Sequence, residues 1–303
     1  MTAVGSVDAV EGSPVKARRR ARLLGRSPSD TPAGPLTYAI LVVTILVSAF
    51  PVYWMLVVAS STEDELAKIP PSVVPKGNLA ENFRAVFNAE NVHFVKSLLN
   101  SLVVASIVTV SVLFFCSLAG FAFAKLRFRG RNVLMVVLNA TLAVPYQLGV
   151  VALYIFMNKL GWNGQLQAVI VPSLVTAFGV FYMRQFILDA VPDELIEAAR
   201  VDGASTLRIY ASIVFPALRP AVGVLGLFTF AATWNDFQWP LITLSGGDHP
   251  TVQVALSNLA SGQFILYTHV LAGAFLATLP LLVIFFIAGR QIVAGIMEGA
   301  VKS

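Results

Sequence analysis

Two short segments hold the side chains most able to do chemistry, and neither is built for making or breaking bonds. The first runs from Val191 to Pro216. Pro192 can open a helix there, because its fixed φ suits the first turn, and Asp193, Glu194 and Glu197 favour the positive N-terminal end. Leu195, Ala198, Ala199 and Asp202 recur at spacings that allow one face bearing small residues, and Gly203 supplies the left-handed turn that stops a helix. A second amphipathic stretch follows, with Leu207, Tyr210, Ile213 and Val214 near helical spacing before Pro216 and Pro220 break it. The expected result is a helix, a glycine bend and a second short helix. Small Ala side chains admit close approach of a partner, and Glu197 and Asp202 can accept charge-assisted hydrogen bonds from it. An amphipathic loop lying on a membrane surface is the plainer reading of the same residues.

The second segment is Trp234-Asn235-Asp236-Phe237-Gln238-Trp239. Aromatic faces cover sugar C–H surfaces, while amides and carboxylates accept from hydroxyls. Trp234, Asn235, Asp236 and Gln238 are therefore candidates for lining a solute path. The structural alternative is that Asp236 bonds across helices and Trp239 belongs to an interfacial aromatic belt.

Enzyme chemistry finds no footing. There is no Gly-x-x-x-x-Gly-Lys-[Ser/Thr] loop to cradle phosphates, and the dipeptide Gly-Lys never occurs. Leu244-Ser245-Gly246-Gly247-Asp248 reads as a flexible glycine turn. His93, His249 and His269 are scattered without metal-ligand spacing, and no Ser/His/Asp constellation falls on one side of the chain's expected topology. The lone Cys116 permits no intrachain disulfide and says nothing of redox compartment. The expectation is no catalytic residue, no metal site and no cofactor bound by this chain.

Composition dictates the elements that position these segments. Of 303 residues, 57% are hydrophobic and only 12% charged, about half the charge of an ordinary soluble domain, and the mean hydropathy is +0.77. Lipid must therefore be the solvent for much of the chain. Six apolar stretches are long enough to cross about 30 Å of hydrocarbon as helix: 36–60, 98–124, 133–157, 166–188, 220–243 and 267–289. Pro51, Pro145, Pro172, Pro240 and Pro280 fall within or beside them, as the membrane permits where neighbouring groups satisfy the freed carbonyls.

The charges sort themselves across this scheme. With a cytoplasmic N-terminus, 16 of the 21 Lys and Arg lie inside, and only Lys68, Lys76, Arg84, Lys96 and Lys159 lie outside. The positive-inside rule favours this orientation over its reverse. Asp236 alone among charged residues falls well inside a span, which marks it for function. The basic tract 16–26 is an orientation signal beside anionic lipid, and without interleaved aromatics it does not suit nucleic acid. Residues 1–35 are expected to be disordered. The first apolar run exceeds a signal-peptide core and is expected to remain as a helix. Outside, between the first two spans, a short helix is predicted around 78–88, with Asn78 as its cap.

The helix–glycine–helix segment resembles the EAA loop of bacterial ATP-binding-cassette importer permeases, through Glu197, Ala198, Ala199, Asp202, Gly203, Ala204, Ile213 and Pro216, with Tyr210 where Phe is frequent. Asn100-Ser101, Ala119 to Ala124, Pro145 and the tail Gly289 to Lys302 extend the resemblance over 36–303. Together they look like the carbohydrate-uptake subgroup, the smaller six-helix partner of maltose-type importers, closest in wording to cello-oligosaccharide or β-glucoside permeases. The resemblance implies an all-α membrane protein of the type I importer fold, with six transmembrane helices and both termini cytoplasmic. It implies that loop 189–219, through Glu197, Ala198, Ala199, Asp202, Gly203 and Ala204, couples to a separate ATPase. The ATPase, in two copies, would bind ATP and magnesium. A second homologous permease and an extracytoplasmic sugar-binding protein would complete the assembly. Loop 245–266, with Gly246 and Gly247, would meet the binding protein, and the cytoplasmic tail 290–303 would reach between the ATPases through Glu298 to Ser303. Competing readings are the same machine carrying glycerol phosphate or a polyol, a proton-coupled carrier using Asp236 as relay, and a non-transporting membrane receptor or scaffold.

Overall fold

The computed structural model describes residues 34–90, 92–245, 247–261 and 265–300, without the side chains of Ala288 and 290–300. The expected disorder of the N-terminal segment falls almost wholly outside this range. Every regular element among the described residues is helical. The chain divides into a unit ending at Tyr53 and a second beginning at Trp54.

The first unit holds most of α1 (Pro35–Ala59). Leu36, Ile40, Val43, Leu46, Val47 and Phe50 are all exposed on it. A helix apolar all round suits hydrocarbon. Its last residues, Val57, Val58 and Ala59, are buried in the second unit.

The second unit contains α2 (Leu79–Asn88), α3 (Phe94–Lys125), α4 (Arg131–Leu142), α5 (Val150–Lys159), α6 (Ala177–Ala190), α7 (Asp193–Val201), α8 (Arg219–Trp234), α9 (Gln238–Leu244), α10 (Val252–Leu259) and α11 (Tyr267–Ala300). Among the described residues, four helical segments are long and apolar enough to span a membrane as they stand, and up to six if each of two bent pairs is one span. The expected third span is such a pair: α4 and the helix from Tyr146 to Lys159 are bent by 94°. Pro145 lies in extended backbone between them. It lacks an N–H and bars Val144 from helical geometry, so the helix must stop and restart. Pro172 has a milder effect within Gln167–Ala190, where a tight 3₁₀ turn spans Val171–Ser173. Thr176 then caps α6, its Oγ1 accepting the Gly179 N–H at 3.0 Å.

The expected span 220–243 is not one helix. It is α8 and α9 separated by Asn235–Phe237, and α8 itself forms a 76° bend with Thr206–Ala217. The predicted helix at 78–88 is present as α2, but the Asn78 side chain makes no cap bond. The acidic trio Glu63-Asp64-Glu65 instead forms the capped turn: Thr62 and Glu65 bond reciprocally at 3.3 and 3.1 Å. Glu63 Oε1 accepts both the N–H and the hydroxyl of Thr268 at 2.8 Å. It thus satisfies an orphan donor at the start of α11 with a carboxylate, which the positive helix end favours.

Packing centres on α3. Its residues Val104, Val108, Val112 and Cys116 meet Met183 and Ile187 of α6 in one core cluster, while Phe94 and Ala105 join Phe230, Trp234, Ala272 and Ala277 in another. In lipid, helices gain stability by fitting closely, which small residues allow. A Cβ at Gly120 would lie 2.8 Å from Met183 Cβ and from the Arg184 amide nitrogen, and one at Gly179 would lie 2.8 Å from Cys116 Sγ. Residues four apart on each helix therefore interleave.

Gly120→Val should lower stability by about 1–3 kcal/mol, the usual cost of overpacking. Gly149→Ala, with nothing within 4 Å of the added atom, should leave the unfolding midpoint of detergent-solubilised protein unchanged, and thermal unfolding of both variants checks this.

Candidate coupling surface and translocation residues

The glycine-bent loop folds as its residues dictate. Pro192 occupies the N-cap of α7, and Asp193 and Glu194 lie in the first turn. At the other end the Gly203 N–H bonds to Arg200 O at 3.0 Å and the Ala204 N–H to Ala199 O at 2.9 Å. That paired closure needs a left-handed residue, and Gly203 has φ +79°. Ser205 caps the next turn, Thr206–Ile209, by accepting the Arg208 N–H at 3.3 Å. A wider π turn, Tyr210–Val214, carries the chain to Pro216.

The loop has a clear inside and outside. Ile196, Ile209, Tyr210 and Val214 are buried in the α3–α6 core, and Ala199 and Ala204 pack against it. Leu195, Ala198, Val201, Asp202 and Leu207 are exposed, Val201 by 88% and Leu207 by 72%. The expected small-residue face therefore divides: Ala199 turns inward while Leu195, Ala198 and Asp202 turn out. Leu207 leaves the group formed by Tyr210, Ile213 and Val214. Sequence reasoning missed Ile196 as the anchor and Val201 as an exposed knob, although Ile196 lies three residues before Ala199 on the same helical row. Glu194 and Glu197 flank this ridge and are also exposed. Apolar side chains exposed beside acids suit contact with another protein or with a membrane surface.

Two contacts fasten the loop to α3. Lys125 Nζ donates to Asp193 Oδ1 at 2.6 Å, with the lysine side chain only 4% exposed and the aspartate 77%. This hydrogen bond, aided by the charge of Lys125 and more weakly by that of Arg127, holds the Asp193 carboxyl below the usual range. Deeper in, Ser117 Oγ and Tyr210 Oη are 2.7 Å apart in a buried pair, and the Phe121 ring lies 5.7 Å from that of Tyr210.

The candidate path residues separate into two groups. Trp234 is 2% exposed, donates Nε1–H to Ala277 O at 3.1 Å and stacks on Phe230 at 5.7 Å, so its ring and its donor are engaged within the fold. Asn235, half-buried Asp236 and Gln238 lie at the helix break. Asn235 donates to Ala231 O at 2.8 Å. Gln238 Oε1 accepts from the Tyr146 hydroxyl at 2.8 Å. Tyr146 stands at the α4–α5 bend, so two broken spans meet there through uncharged polar groups. Backbone irregular at membrane depth is tolerated where protein or water covers it. Trp239 is no belt residue: it is buried, its Nε1–H donated to Ala168 O at 3.0 Å.

On the loop after α9, Gly247 is pressed against Gly164, where an added Cβ would sit 2.9 Å from Gly164 Cα. Gly164 in turn donates its N–H to Thr243 O at 2.7 Å. The turn is thus a packed contact. It borders a cleft of about 390 Å³ that Asn163, Gln165, Asp248 and His249 help to line. Gly246 and the side chains of Glu298 to Ser303 lie outside the described residues.

A bundle of broken and intact apolar helices long enough to cross a membrane defines a multi-pass membrane protein. Residues 114–297 match the family model described as "Binding-protein-dependent transport system inner membrane component". The chain belongs to this family; it is a transport subunit of the inner membrane, and not an enzyme. It is 34% identical over 265 residues to the lactose transport system permease protein of Rhizobium radiobacter, spanning 88% of this chain and 95% of that one. To the arabinooligosaccharides transport system permease protein of Bacillus subtilis (strain 168) it is 30% identical over 259 residues, spanning 85% and 92%. The sn-glycerol-3-phosphate transport system permease protein of Escherichia coli O6:K15:H31 (strain 536 / UPEC) is 29% identical over 268 residues, spanning 86% and 95%. Among solved structures, a chain of a bacterial ABC transporter involved in the import of the acidic polysaccharide alginate superposes with a TM-score of 0.72 at 20% identity, covering 88% of this chain and 98% of that one. That likeness establishes the fold.

The Asp193 contact predicts a pH dependence. A carboxyl held below its unfolded value contributes stability that is complete above the ordinary carboxylate range near about 4 and is lost as pH falls through the depressed value. Amides of Asp193–Val201 should exchange hydrogen faster in Asp193→Asn than in the wild type at pH 7. The difference should shrink below the ordinary carboxylate range.

Proposed function

We propose that this chain is one permease subunit of an ATP-driven importer for a sugar, most consistent with an oligosaccharide, with both termini and loop 189–219 in the cytoplasm. Two copies of an ATPase subunit bind ATP and magnesium and dock on the loop, with Glu197, Ala198, Ala199, Asp202, Gly203 and Ala204 forming or shaping the contact. A second homologous permease completes the path, and an extracytoplasmic sugar-binding protein delivers the solute near the loop holding Gly246 and Gly247. The observation that carries this reading is the exposed ridge of Leu195, Ala198, Val201 and Leu207 beside Glu194 and Glu197, set on a helix pinned to α3. The orientation rests on the sorting of 16 of 21 basic residues to one side. Closure of the ATPases would move the ridge, and the spans would follow between outward- and inward-facing states.

The sugar assignment draws on the solutes named for the lactose and arabinooligosaccharide relatives. The chemistry of the helix break agrees with it. Asn235, Gln238 and Tyr146 offer uncharged donors and acceptors for hydroxyls, with Asp236 as an acceptor beside them. Glycerol phosphate is the second reading, on the strength of the Escherichia coli relative. A phosphate favours basic partners, yet no Lys or Arg occurs between Arg219 and Arg290.

Glu197→Lys should insert and assemble normally, since the carboxylate is exposed, yet abolish uptake of labelled lactose or arabino-oligosaccharide by cells carrying the whole system. Uptake at the wild-type rate would overturn the docking role. Transport of sn-glycerol 3-phosphate alone would replace the sugar with the second reading.

A further inference from the structure

α3 carries buried polar side chains at both of its ends, and most of them reach far along the chain. A 32-residue helix is about 48 Å long, more than the roughly 30 Å of hydrocarbon it must cross. Toward its start, Asn100 and Ser101 are 9% and 3% exposed. Asn100 Nδ2 donates to Pro250 O at 2.9 Å, and Ser101 Oγ accepts the Val252 N–H at 2.8 Å. These two bonds grip the backbone on either side of Thr251, which makes no side-chain cap bond for α10. Ser101 therefore supplies from another helix the acceptor that α10 lacks at its own N-terminus. Toward the end of α3, Ser117 pairs with Tyr210 and Lys125 with Asp193. From Asn100 to Lys125 is about 37 Å along the axis at 1.5 Å per residue.

One rod thus holds the loop before α10 at one end and the docking loop at the other. Both connections are hydrogen bonds to sites 68 to 151 residues away in sequence. Ser97 gives the contrast, since its hydroxyl bonds only to Val92 O and His93 O of the adjoining turn.

We propose that Asn100 and Ser101 are positioning residues for coupling: through α3 they transmit engagement of the outer loop by the binding protein to the ATPase-docking loop, and Ser117–Tyr210 is the receiving contact. This rests on the function proposed above, which puts residues 250–252 outside and 193–210 inside. Because α3 is closely packed on α6, with no room for a Cβ at Gly120 or Gly179, it transmits a displacement instead of absorbing it. Spatial continuity alone does not establish coupling, so the test must measure an interaction between the two ends.

The test uses the complete complex of both permeases, ATPases and binding protein in lipid nanodiscs. ATP hydrolysis is measured with and without binding protein that has been incubated with a mixture of lactose, arabino-oligosaccharides and cello-oligosaccharides. Ser101→Ala should keep basal hydrolysis within about twofold of the wild type while stimulation by the binding protein falls at least about fivefold, the lower end of usual coupling strengths. Tyr210→Phe should lower stimulation similarly, and the double variant should be no worse than the weaker single one. Ser97→Ala should retain full stimulation. Full stimulation in Ser101→Ala, independent effects of the two substitutions, or an equal loss in Ser97→Ala would each overturn the proposal. A wild-type complex unresponsive to its binding protein would instead overturn the functional reading beneath it.

Discussion

The closeness of α3 and α6 governs what the rest of the molecule can present. Cys116 and Gly120 on one helix interleave with Gly179 and Met183 on the other, at distances that exclude even a methyl group. Lipid provides no hydrophobic drive to bring helices together, so such fit must supply the association. Its consequence lies in the chain just beyond. α6 ends at Ala190 and α7 begins at Asp193, so loop 189–219 follows directly on this closely packed pair. Lys125, the last residue of α3, then fixes the first residue of α7. Ile196, Ile209 and Val214, set into the same core, fasten the loop further.

The opposite property marks the helix breaks. Where α4 gives way to α5 and α8 to α9, backbone that a straight span would satisfy internally has to find partners elsewhere. Tyr146, Asn235, Asp236 and Gln238 supply polar groups there, the Tyr146 hydroxyl donating to Gln238 Oε1 and Asn235 to Ala231 O. Closely packed α3 and α6 thus stand beside interrupted helices within one bundle. Trp234 belongs to the packed core despite its place in the sequence, since it is stacked, hydrogen-bonded and closed to solvent.

Much of this was legible in the sequence because lipid makes few demands and makes them everywhere. Apolar stretches foretold the membrane helices, and Pro192 and Gly203 the helix–glycine–helix shape of loop 189–219. Short-range chemistry was enough for these. What sequence could not reach were choices decided by partners distant in the chain. Asn78 has the right type for a cap, but the local conformation leaves its side chain unused, while Glu63 caps a helix 205 residues away. The interruption at Asn235–Phe237 has no proline within it, and polar Asn235, Asp236 and Gln238 do not by themselves distinguish a break from a polar site on a continuous span. Whether Ala199 or Val201 faced the core depended on how α7 is rolled against α3, which Ile196 and Lys125 settle and periodicity over nine residues does not.

The central claim is that α7 turns one defined face toward the ATPase while its other face stays locked in the bundle. Single cysteines placed along 195–209 in a Cys116-free background, tested for cross-linking to the ATPase subunit in the assembled complex, examine it directly. Cross-links at Leu195, Ala198, Val201 and Leu207, with none at Ile196, Ala199 and Ile209, are the predicted pattern. Cross-links at the second set, or at neither, would contradict it.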